Sequence, residues 1–269
     1  IAVSGIAARH SRVTSTTMLR IRKRRPGANW SWTKSSDQRA LTLASTRIGA
    51  RVPALDNPAT FSWIYDSNIV RQCNEYLTRT GGDNITRPSL CEKWEASDDL
   101  KTWTLHLRQD VKWSDGDAFV ADHVVWNIQR WLNPDVGSSV LGLFKGFLLK
   151  DKDTGQKDDQ GNPKMTTEIW DANAIEKADD HTIVLHGQTA MLAMPENLFH
   201  YPALILHPKD NGKWGLGALG TGAFEPTEIE VGKKAVVKAR KSYWQDGPWL
   251  DEVQFIDLGD DPATKLNAL

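Results

Sequence analysis

Thr102-Trp-Thr-Leu-His-Leu-Arg108 opens the stretch that decides the fold, followed by Val111-Lys-Trp113-Ser-Asp-Gly116-Asp-Ala-Phe119 and then Asp122-His-Val-Val125. Trp103, Leu105 and Leu107 fall on one face of the first segment, and Thr104, His106 and Arg108 on the other. A period of two with one apolar face is the mark of a half-buried strand. Asp115-Gly116 supplies a turn, since Gly accepts positive φ and Asp bonds nearby backbone N–H groups. Val124, Val125, Ile128, Trp131 and Leu132 then recur at helical spacing. The helix must stop at Asn133-Pro134, because proline has no N–H and clashes with the preceding turn.

Working outward, Leu41, Leu43 and Ser45 predict a strand, the Pro53/Asp56/Pro58 cluster a loop, and Ile64, Ile69 and Val70 a short helix. Residues 150–164 are polar and carry Gly155, Gly161 and Pro163, which predicts a surface excursion. Further strands are expected at Thr182–His186, Ala235–Arg240 and Val253–Leu258, with the Gly-rich Gly215–Gly222 segment among them. Strands interspersed with helices describe an α/β protein of mixed sheet order, and no internal repeat is visible.

Composition narrows the function classes. The 269 residues allow one large domain or two modest ones. Lys and Arg total 33 against 34 acids, a formal charge of -1, so the whole chain has no electrostatic footprint for nucleic acid. No stretch reaches the roughly 18 apolar residues of a membrane span. The charge is uneven, however. Residues 1–42 hold nine Lys/Arg against the single Asp37, and the remainder holds 24 against 33. Arg20, Arg22, Lys23, Arg24 and Arg25 crowd a segment without helical or strand period, so residues 1–40 are expected to be a basic, disordered leader. The chain begins with Ile, and nothing before Leu41 reads as a signal peptide.

Candidate chemistry is sparse. The seven His show no metal spacing; His106 and His186 lie in strands and His200 and His207 border apolar loops, so no metal is expected. Asp151, Asp153, Gly155 and Asp158 mimic the start of a calcium loop, but residue 162, where a bidentate Glu is required, is Asn. The acid pairs Asp98/Asp99, Asp115/Asp117, Asp179/Asp180 and Asp260/Asp261 each sit beside Gly, Pro or a strand start, where turn chemistry accounts for them. Gly215, Gly217, Gly220 and Gly222 match neither phosphate-loop pattern, and no cofactor is implied. Cys73 and Cys91 enclose 17 residues. A bridge between them is worth about 3 kcal/mol in an oxidising compartment, and the sequence leaves it open. Twelve Trp among 23 aromatics is a marked excess.

The run Pro88-Ser-Leu-Cys-Glu-Lys-Trp94-Glu-Ala-Ser97-Asp-Asp-Leu-Lys, continued by the segments quoted first, resembles the extracellular solute-binding proteins of family 5, the peptide- and nickel-type receptors of bacterial ABC importers. The likeness continues through Ala178-Asp-Asp-His-Thr-Ile183, Gly220-Thr-Gly-Ala-Phe224, Tyr243-Trp244, Asp251-Glu-Val-Gln-Phe255 and Pro262-Ala-Thr-Lys-Leu266. Three departures stand out. Val120 replaces a capping Thr, Ala223 a Pro, and Asn57 lengthens the Leu55-Asp56-Pro approach. The resemblance implies the mixed-sheet first lobe of a two-lobed, type II-like periplasmic binding protein, with the second lobe outside this chain. It implies a main lobe of residues 41–65 with 187–269 and an inserted subdomain of residues 66–186. It further implies a non-enzyme in the periplasm or anchored at the cell surface, with a small peptide or other solute and membrane permease subunits as partners.

Trp94, Trp103, Trp113 and Trp244 fall in motif positions and are expected in the core. Ligand contacts are expected from two loops, at Thr60 and Phe61 and at Ser138, Ser139, Phe144 and Phe147, although Phe144 and Phe147 fit packing beneath the loop equally well. Two rivals remain. One is an oligosaccharide receptor of the same family. The other is a carbohydrate-active enzyme using Trp platforms, which needs two carboxylates facing each other about 5–9 Å apart.

Overall fold

The computed structural model describes residues 18–21, 40–45, 55–61 and 64–259. Alternation has its predicted consequence at β6 (Thr102–Leu107), where Trp103, Leu105 and Leu107 are buried and the intervening residues are not. Around it, β5 (Cys91–Ala96), β9 (Ile175–Asp179) and β10 (Thr182–His186) form an antiparallel sheet in the order β5-β6-β10-β9. Register places Ile183 opposite Leu105 and Leu185 opposite Trp103, which stacks the apolar residues on one face. The helix α2 (Ala121–Leu132) lies against this sheet and buries Val124, Ile128, Trp131 and Leu132. It ends at Asn133, whose side chain accepts from Asp135 N at 3.0 Å and starts the 3₁₀ turn Pro134–Val136.

The second sheet closes the chain on itself. Its strands are β1 (Met18–Ile21), β2 (Ala40–Ser45), β11 (Phe224–Glu230), β12 (Lys234–Ala239) and β13 (Glu252–Asp257), in the order β1-β2-β13-β12-β11. All neighbours are antiparallel except β2 and β13, which run parallel with Leu41 opposite Val253. The sheet is therefore mixed, as expected. One difference lies in β1, which falls inside the segment read as a leader without period and pairs with β2. Ladder hydrogen bonds join backbones, so a strand can form there without an apolar alternation. Residues 1–17 and 22–39 of the leader lie outside the described residues, as do Asp260/Asp261 and Pro262–Leu266.

Two hairpins and three short helices complete the described residues: β3 (Thr78–Thr80) with β4 (Thr86–Pro88), β7 (Leu149–Lys157) with β8 (Pro163–Ile169), α1 (Ile64–Val70), α3 (Val140–Leu148) and α4 (Met194–Asn197). The predicted excursion is thus a hairpin. Its Asp158 carboxylate takes the Gln160 and Asn162 backbone N–H groups, both at 2.9 Å, which is turn chemistry and not a calcium loop. The segment read as an open loop up to Phe147 is instead α3, packed on α2 and β10.

Residues Ala203–Leu206 are buried coil, an arrangement that demands partners for every backbone polar group. Two buried asparagines supply three of them. Asn74 donates to Ile205 O at 3.0 Å and Leu219 O at 3.1 Å, while its Oδ1 accepts from Trp214 Nε1 at 3.0 Å. Asn127 donates to Leu206 O at 2.7 Å and accepts from Leu206 N at 3.1 Å. Ile205 N donates to Glu75 O at 3.0 Å. An apolar segment is thereby held between residues 74–75 and α2 without joining either sheet.

Candidate functional site

Both loops expected to touch ligand border one open depression of about 570 Å³, lined by Asn57, Trp126, Arg130, Asn133, Val136 and Asn211 among others. The six predicted contacts do not line it. Phe61 has 0% exposure, and Phe144 and Phe147 have 2% and 1%, because α3 turns both phenylalanines into the core beneath it. These three therefore present no surface in this structure; Phe61 lies just after the 3₁₀ turn Pro58–Thr60, and Phe144 and Phe147 take the packed arrangement that the sequence left open. Ser138 is buried and its Oγ accepts from Val140 N at 3.3 Å. Thr60, half-buried, spends its hydroxyl on Asn57 O at 2.9 Å, and Ser139 is exposed.

The depression owes its polarity to Arg130, near the end of α2. Its Nη2 donates to Asn57 Oδ1 and to Gly212 O, the latter at 3.0 Å, and its guanidinium lies 5.9 Å from the Trp126 ring. Burial lowers the Arg130 pKa. The inserted Asn57, a departure noted in the sequence, is thus what ties the 57–61 turn to α2. Among the described residues, sequence reasoning missed Arg130 because its partners are 73 and 82 residues away.

A second constellation surrounds Trp113. Its Nε1 donates to His123 Nδ1 at 3.0 Å, and its ring meets the His207 ring edge-on at 4.7 Å between centroids. Val120 gives α2 no capping side chain; its backbone N–H instead meets His123 Nδ1 at 3.4 Å. His207 Nδ1 accepts from Lys209 N at 3.0 Å. Asp115, Asp117 and His207 converge to within 4.8 Å of one another, which invites a metal reading. The hydrogen bonds oppose it. An Nδ1 that accepts leaves the proton of a neutral imidazole on Nε2, the nitrogen 3.8 Å from Asp117, and Lys209 Nζ already bridges Asp115 at 2.9 Å and Asp117 at 2.5 Å. These two carboxylates flank an ammonium, not an open cleft. Asp99 and Asp179 bond the backbone N–H groups of Lys101 and His181. Turn chemistry accounts for them too.

Near the other sheet, the Glu75 carboxylate accepts from Tyr243 Oη and from Trp244 Nε1, both at 2.8 Å. Burial pushes its pKa up, while these bonds hold it down. Gly220 and Gly222 pass so close to the chain at Cys73 that a Cβ on Gly220 would stand 2.0 Å from Cys73 O. Glycine there is required by contact and not by a phosphate. Cys73 and Cys91 are free and buried, so the bridge left open by the sequence is not formed. Cys91 Sγ donates to Lys93 O at 3.0 Å, and burial pushes each thiol pKa up to about 12. Trp103 and Trp113 are buried as expected, whereas Trp94 and Trp244 are half-buried at the edge of the core.

A mixed sheet that takes strands from both ends of the described chain, with an antiparallel sheet between them in sequence, makes up the α/β fold of a single lobe. The match to bacterial extracellular solute-binding proteins, family 5 Middle, spans residues 86–269, and the chain belongs to this family. The dipeptide-binding protein DppE of Bacillus subtilis is 30% identical over 220 residues, 77% of this chain and 37% of that protein. The periplasmic oligopeptide-binding protein OppA of Haemophilus influenzae is 26% identical over 204 residues, 74% of this chain and 36% of its own. Among solved structures, Listeria monocytogenes OppA bound to peptide superposes with a TM-score of 0.67 at 23% identity, covering 87% of this chain and 45% of that one. The PBP AgaA in complex with agropinic acid, from A. tumefaciens R10, gives 0.66 at 23% identity, over 86% of this chain and 42% of that one. These structural likenesses concern the fold. The chain spans well under half the length of the relatives it matches.

Proposed function

We propose that this chain is the first lobe of the substrate-capture subunit of a bacterial ABC importer, which closes with a second lobe over a peptide-like solute and delivers it to membrane permease subunits. Family membership together with the peptide-binding relatives carries this reading. Closure works because ligand contacts made to both inner faces favour the shut state over the open one. The subunit works in the periplasm or anchored at the cell surface, where its relative from Haemophilus influenzae is named as periplasmic.

The proposal divides the chain into a main lobe, residues 41–65 with 187–269, and an inserted subdomain of residues 66–186. In support, the five-stranded sheet takes strands from both ends of the described chain, and the four-stranded sheet lies wholly between residues 91 and 186. Of the six contact positions, Thr60 and Ser139 keep solvent access and remain the ones proposed to face solute.

A thermal-shift screen of the full-length gene product against dipeptides, oligopeptides, oligosaccharides and small organic acids tests the reading. A ligand that binds only the native state raises the melting temperature in proportion to the logarithm of its concentration over Kd. A saturable rise with peptides is expected. A response confined to oligosaccharides or to organic acids replaces the peptide assignment, and silence in every class overturns the receptor assignment.

A further inference from the structure

Two imidazoles sit side by side at the corner where the 113–119 turn, α2 and the 3₁₀ turn Pro208–Asp210 meet. The rings of His123 and His207 are 4.8 Å apart, and each touches Trp113, with centroids at 5.5 and 4.7 Å. Each uses Nδ1 as a hydrogen-bond acceptor at the start of a helical turn. His123 Nδ1 takes the Trp113 indole N–H and the Val120 N–H, and His207 Nδ1 takes the Lys209 N–H. We propose that this pair is an acid-sensitive lock: protonation at Nδ1 turns each acceptor into a donor, breaks these bonds together and releases the Trp113 corner.

The cost of protonation follows from the geometry. A proton on His123 Nδ1 faces two N–H groups and leaves the indole of buried Trp113 without an acceptor. A proton on His207 Nδ1 does the same to Lys209 N, and two imidazolium rings in contact repel. Other charges face the pair from every packed element: Asp115 and Asp117 from the turn, Asp122 from α2, and Lys209 and Asp210 from the 3₁₀ turn. The acids favour the cation, but desolvation is the largest influence on both rings and lowers both pKa values, and for His123 the neighbouring His207 adds to the lowering.

Release has a defined reach. The 113–119 turn donates Ser114 N to Gly220 O at 3.1 Å, and Asp210 Oδ2 accepts from Leu219 N at 2.9 Å. Two joints of the Gly215–Gly220 segment therefore hang on elements that the imidazoles hold, beside those that Asn74 makes to Leu219 O and Arg240 to Gly220 O. The sign is fixed by the lowered folded pKa values. The pair's stabilisation is complete above the unfolded histidine pKa of about 6.5 and is lost as pH falls through the lower folded values.

The test is a histidine ring titration by NMR of the full chain, read together with the Trp113 indole and the Val120 and Lys209 amides. His123 and His207 are expected to titrate below about pH 6.5, with the indole and both amides shifting in the same transition. In His207→Asn, whose Oδ1 keeps the cap while removing the charge, His123 is expected to titrate at higher pH. The melting temperature of His123→Asn/His207→Asn is expected to fall less than that of the parent between about pH 7 and about pH 5. Rings that titrate independently near about pH 6.5, with the indole and amides unmoved, overturn the lock. If the variants fail to fold, the parent titration decides alone.

Discussion

Two antiparallel pairs in this molecule have similar ladders and opposite surroundings. In β6 and β10 every second residue is buried, and Trp103, Leu105, Ile183 and Leu185 meet across the ladder beneath α2. In β7 and β8 only Leu149 is buried, and the rest of both strands is exposed or half-exposed. Backbone hydrogen bonds are present in both, so they cannot be what distinguishes a pair that organises the core from one that decorates it. An isolated two-stranded hairpin is at best marginal in water, and interlocked side chains supply the difference.

Removing the interlock should therefore produce the largest effect. Trp131 of α2, the helix that lies on this sheet, is fully buried, and Trp131→Ala is expected to cost about 3–5 kcal/mol by lost transfer energy and the cavity left behind. Equilibrium urea unfolding of the full chain measures it. A cost no larger than that of a hairpin substitution would erase the distinction between the two regions.

Next in size is the polar joint on the same helix. Asn127→Ala strips both the N–H and the C=O of Leu206 of their partner inside the protein, at an expected cost of about 2–3 kcal/mol. Asn127→Asp sharpens the result. Its second oxygen, unlike the amide, cannot donate to Leu206 O, so it should recover only the bond from Leu206 N.

The contrast also explains what could be read beforehand. β6, α2, β10, β12 and β13 lie within about three residues of their predicted ends because one apolar face per element leaves a period in the sequence. No such period exists in β7 and β8, whose strands read as Lys, Asp, Thr and Glu, or in β1. α3 is different again. Val140, Phe144, Phe147 and Leu148 do fall on one helical face, but Gly142 and Gly146 interrupt the helix-forming pattern, and the sequence leaves ligand contact and core packing equally open for Phe144 and Phe147. The polar constellations were illegible for a separate reason. Asn74 reaches partners 131 and 145 residues away, and Arg130 reaches Asn57 73 residues away, distances over which local pattern carries no information.

A third kind of joint is intermediate between the two regions, since at Gly220 the backbone packs directly on the Cys73 backbone. Gly220→Ala forces a methyl against the Cys73 carbonyl, which cannot rotate away as a side chain would, and about 1–3 kcal/mol of overpacking strain is expected. The same unfolding measurement reads it. If the variant is as stable as the parent, the 220–222 segment is held less tightly than β6 and belongs with the exposed hairpin in its tolerance.

The smallest effect belongs to that hairpin. Glu168 on β8 meets Lys152 at 2.6 Å and Lys150 at 3.5 Å, the kind of paired arrangement that is often credited with stability. All three side chains are open to solvent, where water screens the attraction and ordering the long lysines costs entropy. The lysines lower the Glu168 pKa, but at an exposed site that shift does not translate into a comparable gain on folding. Glu168→Ala should leave the melting temperature unchanged within error at physiological ionic strength, and added salt should not alter the comparison. A clear loss, restored by Glu168→Asp but not by Glu168→Gln, would mean that charge pairing does for β7 and β8 what apolar interlock does for β6 and β10.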